Sequence, residues 1–101
     1  MGLKKQIELE NGIMLNYHRI NSINKITNNI TIIEVSSYIN EKQRQREQEI
    51  IKQSIETGEA VPMNVFIETF YVNKEYLEDE SIQDLYEYLK TTEKFKDAEN
   101  A

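Results

Sequence analysis

Between Leu3 and Ile20 apolar and polar residues alternate on both sides of the dipeptide Asn11-Gly12. Alternation with a period of two marks a half-buried strand, and Asn-Gly between two such runs marks a hairpin turn. A two-residue loop would set Leu9 opposite Met14 and Ile7 opposite Asn16, pairing apolar with polar. A three-residue loop, Glu10-Asn11-Gly12 with Gly12 in the left-handed region, sets Leu9 opposite Ile13, Ile7 opposite Leu15 and Lys5 opposite Tyr17. The second register is preferred. It predicts one continuous apolar face of Ile7, Leu9, Ile13, Leu15 and Tyr17, and a slip of one residue would turn that face to water. Met14, Asn16 and His18 then lie on the opposite face.

Past the hairpin, Asn21-Ser22 and Asn24-Lys25 interrupt the pattern, and Thr27-Asn28-Asn29 predicts a second turn, because Asn tolerates left-handed backbone. Ile30 to Ile39 reads as a third strand, apolar and β-branched enough in its first half to be the central one. Residues 41–49 contain no apolar side chain, and only Ile50, Ile51 and Ile55 follow before Gly58. These are strong helix formers with a glycine placed as a C-terminal cap. A helix polar on all sides in its first half has little to pack on, so residues 40–60 are expected to project or to serve as a mobile connector, the alternative being an arm that binds a partner or a second copy.

A fourth strand is predicted from Met63 to Val72, started by Pro62. Met63, Val65, Ile67, Thr69 and Tyr71 share one face, the better apolar one. Asn64, Phe66, Glu68, Phe70 and Val72 share the other. Ser81, with Asp84 three residues on, predicts a capped helix whose Ile82, Leu85, Tyr86 and Leu89 form an amphipathic stripe. Phe95 is the expected anchor of a further turn, after which Lys96 to Ala101 should fray. The whole chain is thus expected to be a single α+β domain, residues 1–101. Its parts are a four-stranded antiparallel sheet beginning with a hairpin, a polar connector helix, and a C-terminal amphipathic helix on one face.

Composition narrows the chemistry. With 101 residues there is room for one modest core. There is no cysteine, which removes disulfides, thiolate metal sites and a cysteine nucleophile. No apolar run approaches a membrane span, and the first residues lead into a strand rather than a signal peptide's apolar core. The formal charge is −6, and residues 74–101 carry four basic and nine acidic groups. Such a field disfavours a phosphate backbone, so neither nucleic acid nor membrane is expected as a partner.

His18 is the only histidine. Catalysis would need an orienting carboxylate or a nucleophile beside it, from Glu8, Glu34, Ser36 or Ser37, and no spacing demands this. It is read as a surface or interface residue. Glu78, Asp79, Glu80 and Asp84 lack the spacing and glycine of a calcium loop and are read as charge at the positive end of the last helix. No catalytic, cofactor-binding or metal-ligating residue is therefore assigned. Aromatic side chains dominate interfaces when buried between chains, which makes Phe66 and Phe70, with Met14, Asn16 and His18, the candidate interface residues.

Four stretches carry a resemblance: Leu-Lys-Lys-Gln-Ile-Glu-Leu-Glu-Asn-Gly-Ile from residue 3, Asn-Tyr-His-Arg-Ile-Asn-Ser-Ile-Asn-Lys-Ile from residue 16, Pro-Met-Asn-Val-Phe-Ile-Glu-Thr from residue 62, and Tyr-Glu-Tyr-Leu-Lys with Phe-Lys-Asp-Ala-Glu near the end. In these the chain resembles small proteins encoded by phages and prophages of low-GC Gram-positive bacteria. The resemblance spans most of the chain, least so residues 40–60, and carries no residue of known chemistry. It implies a product of a phage structural region: a non-enzymatic tail, baseplate or head accessory protein. Such a protein would associate with itself and with other phage structural proteins, and would be found in the host cytoplasm during synthesis and then in the virion. The alternative expectation is a small phage regulator that binds a host protein through its acidic C-terminal surface.

Overall fold

The computed structural model describes residues 2–59 and 67–101. Strands β1 (Leu3–Glu8), β2 (Met14–Ile26) and β3 (Ile30–Tyr38) are followed by helix α1 (Glu41–Thr57), strand β4 (Glu68–Glu75), helix α2 (Ile82–Leu89) and a short strand β5 (Glu99–Asn100). The strands form one antiparallel sheet in the order β4-β3-β2-β1-β5. The described residues are therefore α+β with five strands, where four were expected. The fifth comes from the segment expected to fray: Glu99 pairs with Lys4 and Asn100 with Leu3, and the Ala101 amide donates to the Gly2 carbonyl at 2.9 Å. Two buried residues just before it, Phe95 and Ala98, fix the tail in place, so its backbone groups meet β1 instead of water.

The first hairpin closes with three residues. The Leu9 amide donates to Ile13 and Gly12 donates back to Leu9, both at 2.8 Å, with Gly12 at φ 86°. Ile7 faces Leu15 as the apolar register requires, but the register then shifts, and Lys4 rather than Lys5 faces Tyr17. An extra β1 residue at this bulge lets Leu3 enter the core beside His18. Ile13, expected in the core, sits beside the turn and is 36% exposed.

Asn21-Ser22 does not end β2. The strand runs through 13 residues with an irregularity between Ile20 and Ser22, and it lies in the middle of the sheet, where β3 was expected. A bulge absorbs the polar pair without breaking the ladder. The next turn has Asn28 at φ 58° and an Asn29 to Ile26 backbone bond of 3.0 Å.

Cross-strand partners share a face, which sorts the sheet into two. On one face Ile20, Val35 and Phe70 line up, as do Ile23, Ile33 and Val72. Leu85, Tyr86 and Leu89 of α2, with Phe95 and Ala98, cover them and complete the core, while Ile82, the first residue of the expected stripe, is 57% exposed. Ser81 caps α2 in a two-way capping box with Asp84, at 3.1 and 3.0 Å.

The other face carries Tyr17, Arg19, Ser36, Tyr38, Glu34 and Tyr71, and α1 stands over its Tyr38 end. In α1 the Asn40 side chain accepts from Gln43 at 3.1 Å, and Gly58, at φ 73°, donates to Ser54. The faces of β4 are the reverse of the expected assignment: Phe70 and Val72 point to the core, and Tyr71 points out. Pairing decides this, because Phe70 lies opposite fully buried Val35 and Val72 opposite fully buried Ile33. The predicted start of that strand at Pro62 and Met63 lies outside the described residues.

Candidate functional site

Three places hold polar or apolar groups that the core does not need. The first is the histidine. His18 is 0% exposed, held between the Lys5 carbonyl, 2.7 Å from Nε2, and the Ser37 hydroxyl, 2.7 Å from Nδ1. A carbonyl only accepts, so Nε2 carries the proton and donates to Lys5, and Nδ1 accepts from Ser37. The Phe95 ring stands edge-on at 5.2 Å. Burial pushes the imidazole below its ordinary range, against the opposing pull of the Lys5 carbonyl. Reading His18 as a surface or interface residue is thus corrected: it is interior, because β5, Phe95 and the bulged β1 close over its end of the sheet. Ser37 beside it gives the atoms of a nucleophile and base, but it too is 0% exposed, so neither side chain faces solvent where a substrate could meet it.

The second place is a charged cluster under α1. Glu47 Oε1 accepts from the Tyr38 hydroxyl at 2.7 Å, from Arg44 at 2.6 Å and from Arg19 at 3.4 Å. Arg19 also donates to the Tyr38 hydroxyl at 3.0 Å, to the Ile20 carbonyl at 3.2 Å and to Asn21 at 2.9 Å. Glu47 is 3% exposed, an unusual depth for a carboxylate, and it survives there because two guanidinium groups and a phenol serve it. Burial and the bond to Glu47 push the Tyr38 hydroxyl up to about 12. This is what fastens the helix. Sequence reasoning missed it because a docking point made of one glutamate looks, in sequence, like any residue of a solvated helix.

The third place is the outer part of the α1 face. Among the described residues nothing covers it around Ile26 and Tyr71, which are 41% and 68% exposed, with Ile32 half-buried between them. Ser22 and Glu34 hydrogen-bond within it.

The four described residues among the five predicted for an interface lie in different surroundings. Met14 is half-buried opposite Glu8. Asn16 is exposed, with its amide donating to the Ile39 carbonyl at 3.0 Å, and lines a cleft of about 490 Å³ shared with Lys4, Lys5, Tyr17 and Glu41. His18 and Phe70 meet instead through the core, since Phe70 packs edge-on to Phe95 at 6.2 Å while Lys94 sits 3.7 Å above its outer side. Phe70 is therefore a core residue, drawn in by its partner Val35. Phe66 lies outside the described residues. In the acidic segment, Glu80 turns away from solvent to pair with Lys74 at 2.8 Å, and Asp84 is held low by its bonds to Ser81. Glu78, Asp79 and Asp84 are exposed. Among the described residues no group of three or more His, Cys, Asp or Glu is placed to hold a metal ion, and no helix is long and apolar enough to cross a membrane.

Compared with known proteins, the chain matches no family model, no curated protein and no solved structure.

Proposed function

We propose that the protein is a non-enzymatic structural or assembly subunit of a phage particle, a tail, baseplate or head accessory component, that works by binding copies of itself and other particle proteins. The phage assignment rests on the resemblance of the sequence. The observation that supports association is the open outer part of the α1 face, where Ile26 and Tyr71 stay exposed around Ile32. Apolar groups gathered on a sheet face mark contact sites more often than singly exposed ones do. Light scattering on the purified chain should show a defined oligomer, and Tyr71→Asp with Ile26→Asp should shift it to monomer. Mass spectrometry of purified particles should find the chain in them. A monodisperse monomer at the highest soluble concentration would refute association, and particles free of the chain would refute the structural role.

A second reading, a small phage regulator that binds a host protein, is supported by exposed Glu78 and Asp79 beside Leu77, itself 48% exposed. It expects a basic partner whose binding weakens as salt screens exposed charge.

A further inference from the structure

We infer that the self-contact is made by β4, which pairs antiparallel with β4 of a second copy about a two-fold axis at Tyr71. This inference rests on the self-association proposed above. The β4 strand is one edge of the sheet, β5 with the uncovered part of β1 being the other, and among the described residues no strand pairs with its outer side.

Which amides face outward follows from the bonds on the page. The Ile67 amide donates to Ser37, so the odd-numbered residues of β3 turn toward β4. The Ile20 amide, opposite Val35, points away from β3 to the Tyr86 hydroxyl at 2.8 Å, which gives the same phase. Phe70, opposite Val35, therefore bonds inward, and Thr69, Tyr71, Asn73 and Glu75 present their backbone groups outward. Two of these are already shielded. The Glu68 carboxylate takes the Thr69 amide at 3.0 Å, and the Lys74 ammonium takes the Glu75 carbonyl at 3.2 Å. Tyr71 and Asn73 are left as an open docking segment, flanked by side-chain guards of the kind that keep an edge from pairing at random.

An antiparallel pair related by a two-fold keeps each face continuous, so residues of the same parity must oppose one another. Centring on Tyr71 sets Tyr71 against Tyr71, Thr69 against Asn73 and Phe70 against Val72. It also sets Glu68 against Lys74 of the partner subunit, twice. Centring on Val72 would set Lys74 against Phe70 and leave Glu68 against Tyr76. Only the Tyr71 centre opposes unlike charges. Its hydrogen bonds also suit the guards: the Thr69 amide passes to the Asn73 carbonyl of the partner subunit, which frees Glu68 to meet Lys74. The Lys74 side chain is 8% exposed and its ammonium, over the Tyr88 ring at 5.2 Å, already serves Glu80 and the Glu75 carbonyl, so the partner's Glu68 reaches in to its third donor rather than drawing it out. The pairing joins the two open faces into one and covers the 68% exposed Tyr71 with its own symmetry mate.

The chain has no cysteine of its own, so single cysteines report the geometry. In a hydrogen-bonded pair the two Cα atoms at position 71 stand about 5.5 Å apart, within disulfide reach. The two at position 69 are about 14 Å apart, out of reach. Under mild oxidation the full-length Tyr71→Cys chain should cross-link to itself. Thr69→Cys should not, but should cross-link when mixed with Asn73→Cys. Tyr71→Lys, which opposes like charges on the axis, should weaken the dimer about tenfold or more, about 1.4 kcal/mol, with the circular dichroism of the fold unchanged. An oligomer in which Thr69→Cys cross-links to itself and Tyr71→Cys does not, or one that Tyr71→Lys leaves intact, would overturn this pairing and leave self-association standing. A monomer at all concentrations would overturn both.

Discussion

Replacing His18 with phenylalanine keeps a ring beside Phe95 but removes both ring nitrogens, leaving the Lys5 carbonyl and the Ser37 hydroxyl without the partners each now has at 2.7 Å. A buried polar group stripped of its partner costs about 1–3 kcal/mol, and Ser37 is fully buried while Lys5 is only half-buried, so about 3 kcal/mol for the pair is the expected loss. In a domain of this size that lowers the melting temperature by roughly 12–24 °C. The same residue sets a pH dependence whose sign can be worked out. Burial holds the folded-state pKa below the unfolded value of about 6.5, so between the two the unfolded chain binds the extra proton. Stability is full above about pH 6.5 and falls as the pH drops through that value, by at most about 1.4 kcal/mol per unit. No other histidine shares the window. Urea unfolding at about pH 7.5, 6.5 and 5.5 should show the wild type losing stability, and the phenylalanine variant, already weaker, changing much less. Parallel losses in the two proteins, or a variant as stable as the parent at neutral pH, would refute the assigned tautomer and the structural role.

Removing the Glu47 carboxylate (Glu47→Ala) should cost between the roughly 1 kcal/mol of an exposed pair and the 3–5 kcal/mol of a buried one, because both arginines keep some solvent access. Hydrogen exchange should speed up across α1 more than in the sheet. Phe95→Ala, which empties the contact among His18, Phe70 and the tail, should cost about 3–5 kcal/mol in denaturant unfolding. Ser81→Ala breaks the capping box and should cost about 1 kcal/mol, with faster exchange confined to the first turn of α2. Gly2→Ala would bring a methyl onto the Tyr17 hydroxyl, and should lower the melting temperature and loosen the Leu3–Asn100 pairing.

The local signals in the sequence were strong wherever one residue type could do one job. Asn11-Gly12 fixed its loop, Asn28 its turn, Gly58 the end of α1, and Ser81 with Asp84 the start of α2. What stayed hidden was set by competition between equal options. Both faces of β4 carry large apolar groups, and the better apolar one is not the face that Val35 and Ile33 of β3 draw inward. His18 follows the hairpin alternation to the side opposite Tyr17, but that side is also packed, by residues about 77 positions further on in the chain. Glu47 gave no periodic signal because α1 is held by charge rather than by an apolar stripe. The frayed tail was misjudged for a related reason: two residues of weak strand propensity, Glu99 and Asn100, form β5 because buried Phe95 and Ala98 deliver them to β1.

That closure also bears on the order in which the molecule assembles. The contact between Leu3 and Asn100 spans about 97 residues, whereas the Ile26 to Ile30 hairpin closes over a few. The difference in closure entropy is about 3 kcal/mol against the distant pair. The β2–β3 hairpin is therefore the natural nucleus, and β5 docks late. Until it does, the outer side of β1 at Leu3 and Lys4 is bare, and a folding intermediate carries a longer open edge there than the finished protein. Refolding at high concentration should accordingly pass through a brief aggregation-prone phase that ends when the tail locks down.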